Sequence, residues 1–96
     1  MKLIWGPLAT EDLRSIWHYI AIDDAGAADA WLDRIVEKAE LLRSQPRLGP
    51  ESPHLSPAIR SIRIGRYRLY YRPSSDRIDI IRVLHGARDL SGLSFD

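Results

Sequence analysis

The sequence predicts an α+β fold in the order β-α-α-β-β-β, an antiparallel sheet packed against an N-terminal αα-hairpin. Three observations predict it. Apolar residues recur at helical spacing through residues 7–44, a proline-rich segment interrupts the chain at 45–58, and from Arg60 onward the pattern changes to a period of two. Helices and strands segregated in this way argue for α+β over a doubly wound sheet.

The elements follow in order. Met1 to Trp5 is a short strand ended by Gly6-Pro7, and Pro7 is sterically pre-set for a first helical position. Glu11 and Asp12 then suit the positive end of a helix dipole. Across residues 7–22 the residues Ala9, Leu13, Ile16, Trp17 and Ile20 make one apolar stripe, with Arg14, Ser15 and His18 on the other face. Asp23-Asp24 breaks the pattern, and Asp24 is placed to cap a second helix over 25–44. That helix carries Ala28, Trp31, Leu32, Ile35, Ala39 and Leu42 on its inner side.

Four prolines and a glycine within 45–58 exclude both helix and central strand there. Strands are expected at 60–64, 66–72 and 77–84, separated by Gly65 and by Pro73 to Asp76, as an antiparallel meander. On the middle strand Tyr67, Leu69 and Tyr71 share one face, and Arg66, Arg68, Tyr70 and Arg72 the other. The last strand is apolar on both faces, as a strand with cover above and below should be. Ser91 to Asp96 reads as a polar tail with two apolar residues, Leu93 and Phe95. Trp17, Trp31, Leu13, Ile35, Leu69 and Ile80 are expected to meet in one core.

Composition bounds the function. The chain has 96 residues, 45% hydrophobic and 28% charged, with no cysteine. One domain over 1–96 is the expectation, with no room for a two-domain enzyme. Absent cysteine excludes a disulfide framework or a Cys-based zinc site and fits a reducing, cytoplasmic setting. The N-terminal apolar run is too short for a signal peptide, and no stretch nears the ~18 apolar residues that span a bilayer. No membrane partner is expected.

The formal net charge of +1 conceals an asymmetry. Residues 1–51 hold six basic and nine acidic side chains, a balance of −3, whereas residues 52–96 hold eight Arg and four Asp, a balance of +4. Arginine's planar fork pairs with carboxylate or phosphate and stacks on aromatic planes, so an arginine-only strand half points toward recognition. A GC-rich coding sequence would produce the same bias without function.

Of the three histidines, His18 and His54 read as surface residues. His85 ends the most apolar strand beside Gly86, three residues before Arg88-Asp89. Two readings stand: an imidazole that closes the sheet by hydrogen bonding, or a general acid or base beside an arginine. Gly-x-Ser-x-Gly, Walker-type loops and His-x-x-x-His spacing are all missing, so no metal or cofactor is expected. The block from Arg60 to Arg72 is the informative one. Five arginines interleave with three tyrosines and no acid, which suits phosphates and stacked bases, or an acidic amphipathic peptide, or charge protection of a sheet edge.

One family carries these residues in the same order. Trp5, Ala9, Asp12-Leu13, Ile16 and Tyr19-Ile20, then Leu42, Pro46 and Gly49, then Arg63, Gly65-Arg66-Tyr67-Arg68-Leu69-Tyr70-Tyr71-Arg72, and Ile80 through Asp89 together resemble the ParE branch of the RelE/ParE toxin superfamily. The last two blocks are the specific ones. The resemblance implies the toxin of a type II toxin–antitoxin pair. It implies neutralisation by a cognate antitoxin that carries an acidic amphipathic segment and a DNA-binding domain, and DNA gyrase as the target. The working surface it implies comprises Arg60, Arg63, Arg66, Tyr67, Arg68, Tyr70, Arg72, His85, Arg88 and Asp89. ParE-like members are gyrase poisons, which points away from catalysis. The alternative is a RelE-like, ribosome-dependent mRNA endoribonuclease with His85 as proton carrier and Arg63, Arg66 and Arg82 on the scissile phosphate. Such nucleases carry a Tyr or a His near the C-terminal end, and here no Tyr follows position 71.

Overall fold

A computed structural model describes residues 1–52, 54–55 and 58–95. Pro53 and Pro57 of the expected proline loop, and Asp96 of the tail, lie outside the described residues. The elements are β1 (Lys2–Trp5), α1 (Pro7–Ala21), α2 (Ala25–Glu40) with a closing 3-10 turn at Leu41–Arg43, β2 (Arg60–Ile64), β3 (Tyr67–Pro73) and β4 (Arg77–His85). The predicted α+β order therefore holds.

Pro7 opens α1 as expected, and Asp24 caps α2 by accepting from the Ala27 N–H at 3.0 Å. Gly65 and Arg66 form the two-residue turn between β2 and β3, so β3 starts one residue later than the alternation predicts. Gly65 has φ +60° while Arg66 keeps a negative φ, the glycine-first pattern of a type II′ hairpin. A β-carbon at Gly65 would also stand 2.5 Å from the Trp31 ring, so turn and helix approach closely only because the residue is glycine.

The sheet order is β1-β4-β3-β2. β2, β3 and β4 form the expected antiparallel meander, but β1 runs parallel to β4, so the sheet is mixed and not wholly antiparallel. The helices explain the direction. Tyr19, near the end of α1, lines the same cleft as His85 at the end of β4, so α1 continues onward from β1. The end of α2 returns to the start of β1, where Arg43 donates to the Met1 carbonyl at 3.0 Å. β2 thus begins from the same end as β1, and two reversals of the meander bring β4 back into β1's direction.

The main core lies between hairpin and sheet. Ile35, Leu69, Tyr71 and Ile80 are fully buried in it, and Leu13 and Trp31 pack at its margin. Trp17 does not join them. Adjacent Ile16 takes the inward position, and Trp17, turned ~100° around the helix, donates its indole N–H to Asp29 on α2 at 2.8 Å.

The opposite sheet face has a second, smaller core of Ile59, Tyr70 and Leu84 beneath Leu55, Leu90, Leu93 and Phe95. The two apolar residues of the tail, Leu93 and Phe95, are thus part of this cover. Phe95 meets Tyr70 edge to face at 5.1 Å between ring centres. A β-bulge accompanies this cover: Tyr70 pairs with Arg82 and Tyr71 with Ile80, leaving Ile81 unmatched. The extra residue resets the alternation, so Ile80 and Val83 both face the helices while Arg82 does not follow them.

Candidate functional site

β1 pairs with β4 only as far as Ile80. Beyond that point the outer edge of β4 has no strand neighbour, and α1 passes across it. Asp12 closes part of this edge. Its carboxylate accepts the Val83 N–H at 3.0 Å and two bonds from Arg82, at 2.7 and 2.8 Å. A third Arg82 bond reaches the Ser94 carbonyl at 2.9 Å, so one guanidinium joins α1, β4 and the tail. Bonding to Asp12 holds the Arg82 guanidinium above its ordinary basicity, against the opposing effect of burial.

The rest of that edge opens into a cleft of about 410 Å³ between α1 and the ends of β3 and β4. Ser15, Ile16 and Tyr19 form its helical wall; Val83, Leu84, His85 and Arg88 form its floor and end, and Arg66 and Tyr67 close it from the hairpin turn. Tyr19 is 74% exposed, an aromatic side chain at the mouth with no cover. Among the described residues Asp12 is the one carboxylate lining the cleft, and its charge is already matched by Arg82.

The ring system behind the cleft is ordered by packing. Trp31 meets Tyr67 edge to face at 5.3 Å, and Tyr67 meets His85 at 6.0 Å. Arg66 stands over the Trp31 ring at 5.7 Å and Arg34 at 4.9 Å, both in cation–π range. His85 accepts the Ala87 N–H on Nδ1 at 3.1 Å, which leaves Nε2 as its other ring nitrogen for an incoming partner. Burial pushes the Tyr67 hydroxyl pKa up, and the neighbouring Arg66 charge offsets part of that rise. Behind His85 and Arg66 a second recess of about 320 Å³ adds Arg63, Arg68, Gly86 and Ala87.

The structure therefore brings Arg66, Tyr67, His85 and Arg88 to one cleft, and Arg63 and Arg68 to the adjoining recess. The remaining expected surface residues lie elsewhere. Arg60 is on the helix side of β2, where it donates to the Gly49 carbonyl at 2.8 Å and pairs with Glu51. Tyr70, 6% exposed, is beneath Phe95. Arg72 lines a separate depression with His54 and the tail. Asp89 is exposed, and the Ser91 N–H on its carboxylate lowers its pKa. Arg82 lines neither the cleft nor the recess, being spent on Asp12 and Ser94.

Sequence reasoning missed the α1 wall. Asp12 falls three residues after Ala9 and four before Ile16, on the buried stripe itself, and an acid there signals a buried partner. Tyr19 entered the sequence reading only among the residues that carry the family resemblance. Among the described residues no group of three or more His, Cys, Asp or Glu could hold a metal ion, and no helix is long and apolar enough to cross a membrane.

Comparison with known proteins adds a family. The profile described as the ParE toxin of type II toxin–antitoxin system, parDE, matches residues 3–90. No curated protein matches the chain in sequence. Among solved structures, a chain described as the chromosomal ParDE TA system from P. aeruginosa is 25% identical with a TM-score of 0.76, over 88% of this chain and 95% of that one. The YoeB/ParE toxin from Agrobacterium tumefaciens shares the fold, with a TM-score of 0.60 at 20% identity over 88% of this chain and 98% of that one.

Proposed function

The chain belongs to the ParE toxin family of type II toxin–antitoxin systems, and from that premise we propose that it arrests growth by binding and inhibiting DNA gyrase, and that a cognate antitoxin neutralises it. The cleft between α1 and the end of β4 supports this reading. It presents an apolar lining of Ile16, Val83 and Leu84, a basic rim of Arg66 and Arg88, and the exposed ring of Tyr19, and the one carboxylate among its described lining residues is already paired. Such a surface suits a protein segment that is apolar on one side and acidic on the other. An acidic amphipathic antitoxin segment and an acidic surface of the target would compete for it, which makes neutralisation an exclusion from one cleft. The action is binding, with no covalent step.

The test is gyrase supercoiling with purified, antitoxin-free protein. Inhibition of supercoiling, or accumulation of cleaved DNA, with translated mRNA left intact, is the expected result. Active, folded protein that is inert in both gyrase assays would overturn it.

A second reading, ribosome-dependent mRNA cleavage, draws on the adjacency of His85, Arg63 and Arg66 in the recess. It lacks its fourth member, because Arg82 is committed to Asp12. Primer extension on translated mRNA with wild type and His85→Ala separates the two: cleavage by wild type alone would favour the nuclease.

A further inference from the structure

Five of the eight arginines in the strand half have no carboxylate partner among the described residues: Arg60, Arg77 and Arg82 are paired, whereas Arg63, Arg66, Arg68, Arg72 and Arg88 are not. Three of these unpaired groups are concentrated. Arg63 and Arg68 stand directly opposite each other in the β2–β3 register, on the sheet face away from the helical hairpin, and Arg66 occupies the turn that joins those strands. Like charges facing each other across two strands are destabilising. Among the described residues their hydrogen bonds go to neutral groups, from Arg63 to the Gly65 carbonyl and from Arg68 to the Ser61 hydroxyl. No carboxylate among the described residues pairs with either arginine, so a bound anion would offset their like charge.

We propose that Arg63, Arg66 and Arg68 form a docking site for the phosphodiester backbone of duplex DNA, so that the protein holds DNA directly and not solely through a protein target. The recess behind His85 differs from the neighbouring cleft in the way this requires. Its one large aromatic residue, Tyr67, is 5% exposed, so among the described residues lining the recess only the smaller His85 ring is open to an unpaired base, which disfavours a single strand. Among the described residues its aliphatic lining is Gly86 and Ala87, too small to anchor an amphipathic peptide, and side chains this small let a bulky phosphate chain approach. Exposed His85 adds a further nitrogen at the rim. Guanidinium forks match phosphate oxygens in pairs, and contacts of this type position a protein on a duplex without reading sequence.

Fluorescence anisotropy with a labelled 20-base-pair duplex, between 50 and 200 mM KCl, tests the site on the purified chain. Three phosphate contacts predict that log K falls against log salt with a slope of about −2.7, and loss of two contacts predicts about −0.9. The Arg63→Gln/Arg68→Gln variant should show the shallower slope, bind at least about tenfold more weakly at 100 mM salt, and keep or raise its thermal midpoint. Arg77→Gln, which removes a paired arginine at the other end of β4, should bind as wild type does. Undetectable duplex binding at 50 mM salt, an unchanged slope in the double variant, or tighter binding of single-stranded RNA or a glutamate decapeptide than of the duplex would overturn the proposal. The outcome is separable from the gyrase reading. Inhibition of supercoiling without duplex binding would retain that reading and overturn this one, and duplex binding without inhibition would do the reverse.

Discussion

At the scale of single residues, Asp12 and Arg82 tie α1 to β4. Asp12 accepts from Arg82 twice and from the Val83 N–H, and the side chains of both Asp12 and Arg82 are about nine-tenths buried. Removing one partner leaves a buried charge uncompensated, so Asp12→Ala should cost about 3–5 kcal/mol in urea unfolding. Replacing both residues by apolar ones of similar volume should cost much less. A loss under 1 kcal/mol for Asp12→Ala would show that solvent reaches the pair. Sequence alone assigned Asp12 to the helix dipole because its partner lies seventy positions away, and no local pattern records a contact that distant. His85, Arg66 and Arg88 were legible as site residues because their chemistry stands out locally. The placements of Tyr70 and Arg60 were not, since burial under the tail and capture by Gly49 both depend on segments that only the fold brings near.

At the scale of elements, both helices and the three-strand meander follow from periodicity, with boundaries shifted by a few residues at most. Three features did not. The direction of β1 depends on α1 running onward from it, which amphipathic spacing does not encode. The bulge at Ile81 depends on the pairing of β3 with β4 and is invisible in an unbroken apolar run. The docking of the tail depends on the second sheet face exposing Tyr70 and Leu84, so Leu93 and Phe95 looked like isolated apolar residues in a polar segment. That docking is testable. Phe95→Ala should lower stability by about 1–2 kcal/mol, since a half-buried phenyl contributes less than the ~1.5–3 kcal/mol of a fully buried one. It should also raise binding of a hydrophobic dye as Tyr70 is uncovered. Unchanged dye binding and unchanged stability would mean that the tail does not cover the sheet in solution.

At the scale of the whole molecule, charge is unevenly used. The acidic half forms the helices, and three of the strand half's arginines are neutralised internally, which leaves the unpaired ones around the hairpin turn, the end of β4 and the far rim at Arg72. Tyr67, Tyr70 and Tyr71 give the fold a pH limit. Burial raises all three hydroxyl pKa values above the ordinary 10.0. Above pH ~10 the unfolded chain loses these protons first and the folded chain retains them, so stability is held below that pH and falls as pH rises through the higher folded values. Urea midpoints should therefore decline between pH 9 and 11, and Tyr70→Phe should flatten part of the decline. The central claim, that the cleft between α1 and β4 is the working surface of a gyrase-directed toxin, is tested most directly by titrating gyrase supercoiling with wild type and a Tyr19→Ser/Arg88→Ser variant. Both side chains are exposed at the cleft and outside either core, so the variant should keep the wild-type circular dichroism spectrum. Wild type should inhibit, and the variant should need at least about tenfold more protein, the loss of one central contact at an interface. Equal inhibition by a folded variant, or none by wild type, would contradict the account.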